Sequence, residues 1–337
     1  MRTLVVSDLH LGNRGHRDVL RVAEVRERLL AAVADAERLV LLGDTIELAH
    51  RQPRRSMVAA APVLRALGQA LGPEREVIVV PGNHDAALLR RWALAQGEQL
   101  RASQMVPPTA SRALERLVSW LAPARVRVSY PGVWLGDRIW ATHGHYLDHH
   151  LLPDSVIGIL RPAGHDVRAR SPMEYERLHR HGTRSREPLP ARLITRPVAT
   201  LIQTLLVQLR VVPRILLNTG MAPVTAKLLD VHMRRAATPA MARVVRNLGI
   251  DADWVLFGHV HRRGPIGDEP WPAGDDPRLV NTGAWLYEPL LVDRATTPHP
   301  YWPGGAILLE DGRAPRSVGL LDDVGADELR VATISTG

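Results

Sequence analysis

Aspartate, asparagine and histidine residues recur in short motifs that each follow an apolar run. The first motif, SDLH, places Asp8 and His10 two residues apart directly after LVV. Residues i and i+2 of a strand point to the same face, so both side chains would lie together at the end of a strand. A carboxylate and an imidazole side by side are good metal ligands. Taken alone, the motif is better explained as a surface Asp and a surface His that end a strand.

Four further motifs supply the partners that a metal site would need. They are LLGD, PGNHD, THGH and FGHVH, and each ends a predicted strand. Their polar residues are Asp44, Asn83, His84, Asp85, His143, His145, His259 and His261. Open α/β sheets bind ligands at the carboxyl ends of their strands, so the five motifs should meet at one edge. Seven ligands among these residues would be too many for one tetrahedral or octahedral ion and would suit two ions that share a carboxylate.

Apolar runs alternate with helical patterns in the first third of the chain. The predicted strands there are 3–7, 38–42 and 76–80, and the predicted helices are 18–37 and 57–71. This alternation indicates parallel strands in an α/β sheet. A helical pattern at 111–121 precedes further strands in ARVRVSY, GVWLG and RIWATHG, and the C-terminal part is again rich in strands. Two sheets covered by helices are the simplest packing.

The composition restricts the chemistry and the compartment. The 337 residues are 45% hydrophobic and 23% charged, which is typical of a globular protein. Cysteine is absent, so disulfides and thiolate metal sites are excluded and the expected metals are Mn, Fe, Zn or Mg. The start, MRTLVVSDLH, contains no pattern typical of a signal peptide. A cytoplasmic location is therefore expected.

The positive charge is concentrated in one segment. Residues 161–246 contain 16 Lys and Arg against 5 Asp and Glu, a net charge of +11 within a total of +8. The apolar run at 197–209 has 13 residues, fewer than the ~20 that span a bilayer. Residues 151–250 are therefore predicted to be a basic helical insertion, a cap next to the site.

Three interpretations of this insertion remain open. It is a solvated basic face, a surface for nucleic-acid phosphates, or a lid that contacts anionic membrane and acyl chains. Tyr175 is the single aromatic residue between 161 and 246, which disfavours the base-stacking platforms of single-strand binders. We favour the lid, with peripheral contact at the inner face of the membrane.

The order D-x-H, G-D, G-N-H-D, a single H and G-H-x-H resembles that of the calcineurin-like metallophosphoesterases. The resemblance covers 1–150 and 250–320 and implies a four-layer α/β-β/α sandwich, built from 1–150 and 251–337, with two metal ions. By position, it implies one ion held by Asp8, His10, Asp44 and His261, and another held by Asp44, Asn83, His143 and His259. It gives His84 the role of general acid or transition-state stabiliser, and Asp85 that of the carboxylate that orients His84.

Within this superfamily, SDLHL, GDTIE, HGHYLD and GHVHR are most similar to the UDP-2,3-diacylglucosamine hydrolases. Those enzymes cleave a pyrophosphate in a lipid-linked nucleotide and use a helical insertion as a lid over acyl chains. Two positions depart from this subgroup, which typically has Arg in place of His84 and Asp in place of His145.

The resemblance implies hydrolysis of a phosphodiester, pyrophosphate or phosphomonoester bond by a metal-bridging hydroxide, with Mn the expected metal. The expected substrate carries phosphate and is lipid-linked. A nuclease or nucleotide phosphodiesterase, and a non-catalytic metal-bound interaction module, are the alternatives. The complete ligand set disfavours the module, and the lack of aromatic residues in the insertion disfavours the nuclease.

Overall fold

The chain folds into two compact units. The computed structural model describes residues 1–13, 17–49, 52–151, 169–181, 226–227, 229–231, 233–267, 269 and 277–329. The first unit comprises Met1–His145, Ile250–Tyr287 and Thr296–Gly337, and the second comprises Tyr146–Gly249 and Glu288–Ala295. All the predicted site residues belong to the first unit. The apolar run at 197–209 lies outside the described residues.

The described residues of the first unit form twelve strands in two sheets. In chain order they are β1 (Arg2–Val6), β2 (Arg38–Leu42), β3 (Glu76–Val80), β4 (Gln104–Met105), β5 (Arg125–Tyr130), β6 (Gly132–Gly136), β7 (Ile139–Thr142), β8 (Trp254–Phe257), β9 (Arg263–Gly264), β10 (Arg278–Thr282), β11 (Gly305–Glu310) and β12 (Arg316–Gly319). The longer of these strands coincide with the predicted apolar runs.

The larger sheet has the strand order β12-β11-β1-β2-β3-β5-β4. Strands β1, β2 and β3 are parallel, as predicted, and β5 is parallel to β3, while β4, β11 and β12 are antiparallel to their neighbours. The last four residues of β1, β2 and β3 are all buried, as expected for parallel strands covered on both faces. The first strand of the chain therefore lies inside the sheet, between β2 and the late strand β11.

The smaller sheet has the order β6-β7-β8-β10-β9. Strands β7, β8 and β10 are parallel, and β6 and β9 are antiparallel. One buried apolar core contains side chains from both sheets, namely Val5, Val40, Leu42, Ile78, Val80, Val133, Leu135, Ala141, Leu256, Val280, Ile307 and Leu309. The two sheets thus form a sandwich with a shared core.

The helices of the first unit include α1 (Ala23–Ala34), α2 (Pro53–Leu71), α3 (Arg90–Gln96) and α4 (Arg112–Trp120). Helix α2 begins with Pro53, whose missing N–H costs nothing at a first helical position, and it ends at Gly72, which has a φ of 72°. Helix α1 is shorter than the predicted 18–37, because Val19–Arg21 forms a separate 3₁₀ turn. Two mixed sheets flanked by helices confirm the predicted α/β sandwich.

The second unit is helical where it is described, with α5 (Pro172–His181), α6 (Thr238–Asn247) and α7 (Pro289–Val292). Tyr175 of α5 is fully buried and stacks on Tyr146 with ring centroids 4.7 Å apart. Its hydroxyl lies 2.7 Å from His150 Nε2 and accepts a hydrogen bond from Asn247 Nδ2 at 3.2 Å. Among the helices that the structure describes, none combines the length and the apolar character that crossing a bilayer requires.

Candidate metal centre

The predicted site residues follow the carboxyl ends of five strands of the first unit. Asp8 and His10 follow β1, Asp44 follows β2, and Asn83, His84 and Asp85 follow β3, while His143 follows β7 and both His259 and His261 follow β8. Asp8, His10, Asp44, Asp85 and His143 are buried. Because β1, β2 and β3 are parallel neighbours, and β7 and β8 likewise, these loops emerge on the same edge of each sheet.

Three groups of side chains bring potential ligand atoms within 4.8 Å of one another. The groups are Asp8 with His10 and His261, Asp44 with His143 and His259, and His10 with Asp44 and His84. The third group shares a residue with each of the others. The structure therefore brings together every histidine and carboxylate that was predicted to bind metal, and His84 with them.

Asp44 belongs to the second group and also faces the first. Its Oδ2 atom is 3.7 Å from His10 Nε2 and 3.2 Å from His143 Nε2. Its Oδ1 atom accepts a hydrogen bond from the backbone N–H of His84 at 2.8 Å. One carboxylate thus faces a histidine of each group.

The surroundings of His143 fit a bound cation. His143 Nδ1 lies 3.1 Å from the carbonyl oxygen of Leu42, which can only accept, so the ring proton belongs on Nδ1. The other ring nitrogen, Nε2, faces Asp44 Oδ2 at 3.2 Å and Asn83 Oδ1 at 3.1 Å. Three electron-rich atoms converge, and only a proton or a cation between them relieves their repulsion. Burial lowers the pKa of His143, but the Asp44 and Asp8 carboxylates raise it to about 10.

Electron-rich atoms also converge around Asp8. Asp8 Oδ1 lies 3.2 Å from His261 Nε2, which in turn is 3.3 Å from His10 Nε2. Burial alone would raise the pKa of Asp8, but the imidazoles of His143 and His261 lower it to about 2. An anionic oxygen and two imidazole nitrogens that face one another are a donor set that a divalent ion accepts.

The other oxygen of Asp8 is fixed by neighbouring loops. Asp8 Oδ2 accepts hydrogen bonds from the hydroxyl of Ser7 and from the backbone N–H of His259 at 2.9 Å. Ser7 Oγ also lies 2.5 Å from Thr282 Oγ1 on β10. The sequence does not identify Ser7 and Thr282 as site residues, because a serine at the start of the SDLH motif and a threonine in a distant strand are not typical metal ligands.

The ligand-bearing loops hold an unusual backbone conformation. Six non-glycine residues have a positive φ in the described part of the chain, and five are predicted ligands: Asp8 (53°), His10 (44°), Asp44 (50°), His259 (69°) and His261 (56°). Each such residue costs about 1–2 kcal/mol relative to a right-handed conformation. Strain of this kind persists where the surrounding structure enforces it, and it concentrates at functional sites.

Two glycines next to the ligands allow the loops to approach one another. A methyl group on Gly82 would lie 2.6 Å from His143 Cδ2 and would overlap the Asp44 carboxylate. A methyl group on Gly258 would lie 2.5 Å from Asp8 Oδ2. The glycines of PGNHD and FGHVH are therefore required by the close packing of ligands from different loops.

Glu47 holds two histidines at once. It is 1% exposed, and its carboxylate accepts a hydrogen bond from His10 Nδ1 at 3.0 Å and from His84 Nδ1 at 2.8 Å. Burial lowers the pKa of His84, but the hydrogen bond to Glu47 and the charge of Asp44 raise it above its ordinary value. The segment that carries Glu47 lies beside the loop after β1, because Ile46 forms a parallel bridge with Leu11 and the Glu47 N–H donates to the Leu11 carbonyl at 3.1 Å.

The contacts of Asp85 differ from those expected. Its carboxylate accepts hydrogen bonds from the backbone N–H groups of Thr45 at 2.9 Å and Gly82 at 2.5 Å. Burial and the nearby Asp44 charge raise the pKa of Asp85 to about 7. Asp85 therefore joins the loops that follow β2 and β3, and the contact that orients the His84 ring comes from Glu47 instead.

We expect Glu47→Gln to lower both kcat and metal affinity by ~10–100-fold, as is usual when a partner of a metal-ligating histidine is lost. An amide is neutral, so it cannot accept charge-assisted hydrogen bonds from both imidazoles. Steady-state kinetics and metal titration measure the two effects. Glu24→Gln, at an exposed position of α1, is the matched control. Unchanged kinetics in the Glu47 variant would contradict the orienting role.

Comparison with known proteins identifies the family. A family model described as calcineurin-like phosphoesterase matches residues 1–263. A search of curated proteins finds no match. Among solved structures, the chain is similar to one titled as the crystal structure of the cold-active protein-tyrosine phosphatase of a psychrophile, Shewanella SP.. The identity is 10%, the match covers 94% of this chain and 80% of that chain, and the TM-score of 0.32 is too low to support an inference.

The family model covers most of the chain, and its range contains every predicted site residue. The two mixed sheets and the clusters of carboxylate and imidazole groups agree with it. The chain belongs to the calcineurin-like phosphoesterases and is a metal-dependent phosphohydrolase.

Proposed function

We propose that the protein hydrolyses a phosphodiester or pyrophosphate bond with two divalent ions, Mn²⁺ being the expected metal. The proposed ligands are Asp8, His10, Asp44 and His261 for one ion, and Asp44, Asn83, His143 and His259 for the other. The observation that carries this proposal is the position of Asp44 Oδ2, 3.7 Å from His10 Nε2 and 3.2 Å from His143 Nε2. A single carboxylate that faces both groups suits a bridging ligand.

Two divalent ions supply Lewis acidity to the phosphoryl oxygens and lower the pKa of water. The protein contributes preorganised ligands: Glu47 and the Leu42 carbonyl fix the tautomers of His10 and His143, so that Nε2 of each ring offers its lone pair. The strained loops hold these atoms in place before any metal arrives. Little reorganisation is then needed when the ions bind.

His84 is the proposed general acid. Glu47 holds its Nδ1 atom and so fixes the ring, and Nε2 is the proposed atom that protonates the leaving oxygen or stabilises the transition state. The side chain is 32% exposed, whereas Glu47 is buried, so the ring can contact a substrate at the surface of the site. Its backbone N–H is bound separately to Asp44, which leaves the ring to act on the substrate.

The proposed substrate is a lipid-linked nucleotide like that of the UDP-2,3-diacylglucosamine hydrolases. The motif resemblance supports this class, and the +11 charge of 161–246 suits an anionic head group or membrane surface. The segment 151–250 is the proposed binding region for the acyl chains. His84 and His145 depart from that subgroup, so a related lipid pyrophosphate is included in the proposal.

We expect kcat/KM for UDP-2,3-diacylglucosamine in mixed micelles to exceed that for the deacylated UDP-sugar by about 100-fold or more, the difference that burial of a few methylene groups provides. Both rates are measured by chromatographic detection of the products of phosphate-bond cleavage. A water-soluble diester, bis(p-nitrophenyl) phosphate, is the control for an intact metal site. Equal kcat/KM with and without the acyl chains would contradict the lipid proposal.

A nuclease is the second candidate, and one observation weighs against it for single strands. Tyr175, the one aromatic residue of 161–246, is fully buried against Tyr146 and is not available for base stacking. Contact with phosphates of a duplex needs no aromatic residue. Salt-sensitive cleavage of duplex DNA that exceeds hydrolysis of the lipid nucleotide would favour this candidate.

A further inference from the structure

The loop that carries His259 and His261 continues directly into two buried arginines. Arg262 is 8% exposed and pairs with Glu269, with Nη2 2.5 Å from Oε1. Arg263 is 2% exposed, and its Nη2 atom donates to Asp322 Oδ2 at 2.8 Å. The backbone of Arg263 is fixed as well, because its N–H donates to the Pro300 carbonyl at 2.7 Å and β9 pairs with β10.

The guanidinium of Arg263 depends on Asp322 for its charge balance. Its Nε and Nη1 atoms are buried and have no hydrogen-bond partner within the described residues. Gly319 borders the same space, and a methyl group there would overlap Arg263 Nη1 and the Asp322 carboxyl group. A buried charge that loses its single ionic partner is strongly destabilised, so this pair fixes the position of the side chain.

The pair lies where the strained loop ends. His259 and His261 have φ values of 69° and 56°, which residues with a Cβ adopt only when their surroundings enforce it. Before the loop, the Gly258 N–H donates to His143 O at 2.9 Å, and the Gly258 carbonyl accepts from Asn281 at 2.7 Å. After the loop, the corresponding anchor is Arg263. Because the loop is fixed at Gly258 and at Arg263, a shift of the backbone cannot relieve the strain at His259 and His261.

We propose that the Arg263–Asp322 ion pair is a positioning contact that keeps His259 and His261 in their ligand conformation. The proposal rests on the proposed function, because it requires both histidines to bind metal. Asp322 lies beyond residues 1–263, the range that the family model matches, so the contact is a feature of the C-terminal part of this chain. Loss of the pair lets the loop relax, which removes backbone strain from the metal-free protein but separates the ligands.

The experiment compares Asp322→Asn and Gly319→Ala with the unchanged protein. The first variant removes the ionic partner, and the second displaces the guanidinium while it leaves both charges in the chain. We expect Mn²⁺ affinity, measured by titration of metal-free protein, to fall ~10–100-fold in both. The thermal midpoint of the metal-free protein should change less than that of the Mn²⁺-loaded protein. Arg263→Lys keeps the positive charge, so this variant should bind Mn²⁺ more tightly than the Asp322→Asn variant does.

The matched control is Arg38→Gln, which breaks the partly buried Arg38–Glu76 pair at 2.8 Å, near the amino ends of β2 and β3. It should lower the thermal midpoint and keep Mn²⁺ affinity. The proposal is overturned if the Asp322 and Gly319 variants bind Mn²⁺ as the unchanged protein does, or if neither folds, since the pair would then serve the stability of the unit. Failure of the unchanged protein to bind Mn²⁺ would instead overturn the proposed function.

Discussion

Asp44→Ala is expected to remove both metal ions and to reduce phosphodiester hydrolysis to the level of a blank. The reason is that Asp44 Oδ2 faces His10 on one side and His143 on the other, so one substitution removes a ligand from each group. Loss of any other proposed ligand affects one ion directly. Asp44 also accepts the His84 N–H, so the loop after β3 loses a contact as well.

Elemental analysis after dialysis gives the number of ions per chain, and hydrolysis of bis(p-nitrophenyl) phosphate gives the activity. Addition of Mn²⁺ should raise the thermal midpoint of the unchanged protein and leave that of the variant nearly unaffected, because a ligand stabilises only the state that binds it. Asp35→Ala, at an exposed position after α1, is the control. A variant with one retained ion and near-normal activity would contradict the shared carboxylate.

His84→Ala is expected to keep both metal ions while kcat falls ~10²–10⁴-fold, the range for loss of a positioned acid or base. The contact between His84 and Asp44 uses the backbone N–H, so alanine preserves it. What disappears is the imidazole that Glu47 holds by Nδ1. Metal content and kcat therefore separate the role of this side chain from the roles of the ligands.

A double substitution tests whether Glu47 acts through His84. If it does, Glu47→Gln should add little to the loss of kcat in a His84→Ala background at saturating Mn²⁺, where the contact of Glu47 with His10 no longer limits metal occupancy. His84 also belongs to a group with His10 and Asp44 that could hold an ion. Loss of an ion in the His84→Ala protein would make this residue a ligand and not the acid.

The strands that could be predicted are those that appear in the sequence as apolar runs, because such runs indicate burial. Parallel strands covered on both faces appear as uninterrupted apolar runs, and β1, β2 and β3 follow this rule. Strands β4 and β9 have two residues each and no apolar run, so nothing in the sequence marked them. The pairing of β1 with β11 joins residues some 300 positions apart and depends on the whole fold.

The candidate site was predictable as a set of residues and less so as a set of contacts. Ligands at the carboxyl ends of parallel strands follow from topology, which explains why Asp8, Asp44 and His143 converge. The positive φ values follow from packing between loops, and no local pattern reveals them. For the same reason, the carboxylate that orients His84 was expected to be its neighbour Asp85 and proved to be Glu47, on another loop.

The pairing of β1 with β11 also bears on how the enzyme is made. Asp8 and His10 are translated some 300 residues before Gly305–Glu310, the strand that pairs with β1 in antiparallel orientation. The hydroxyl of Ser7, which donates to Asp8, likewise gains its contact with Thr282 Oγ1 only after Thr282 has been translated. A nascent chain that ends just before Thr282 carries all seven proposed ligand residues but lacks the framework that aligns them. We therefore expect the loop after β1 to reach its ligand conformation only once the C-terminal strands have been made.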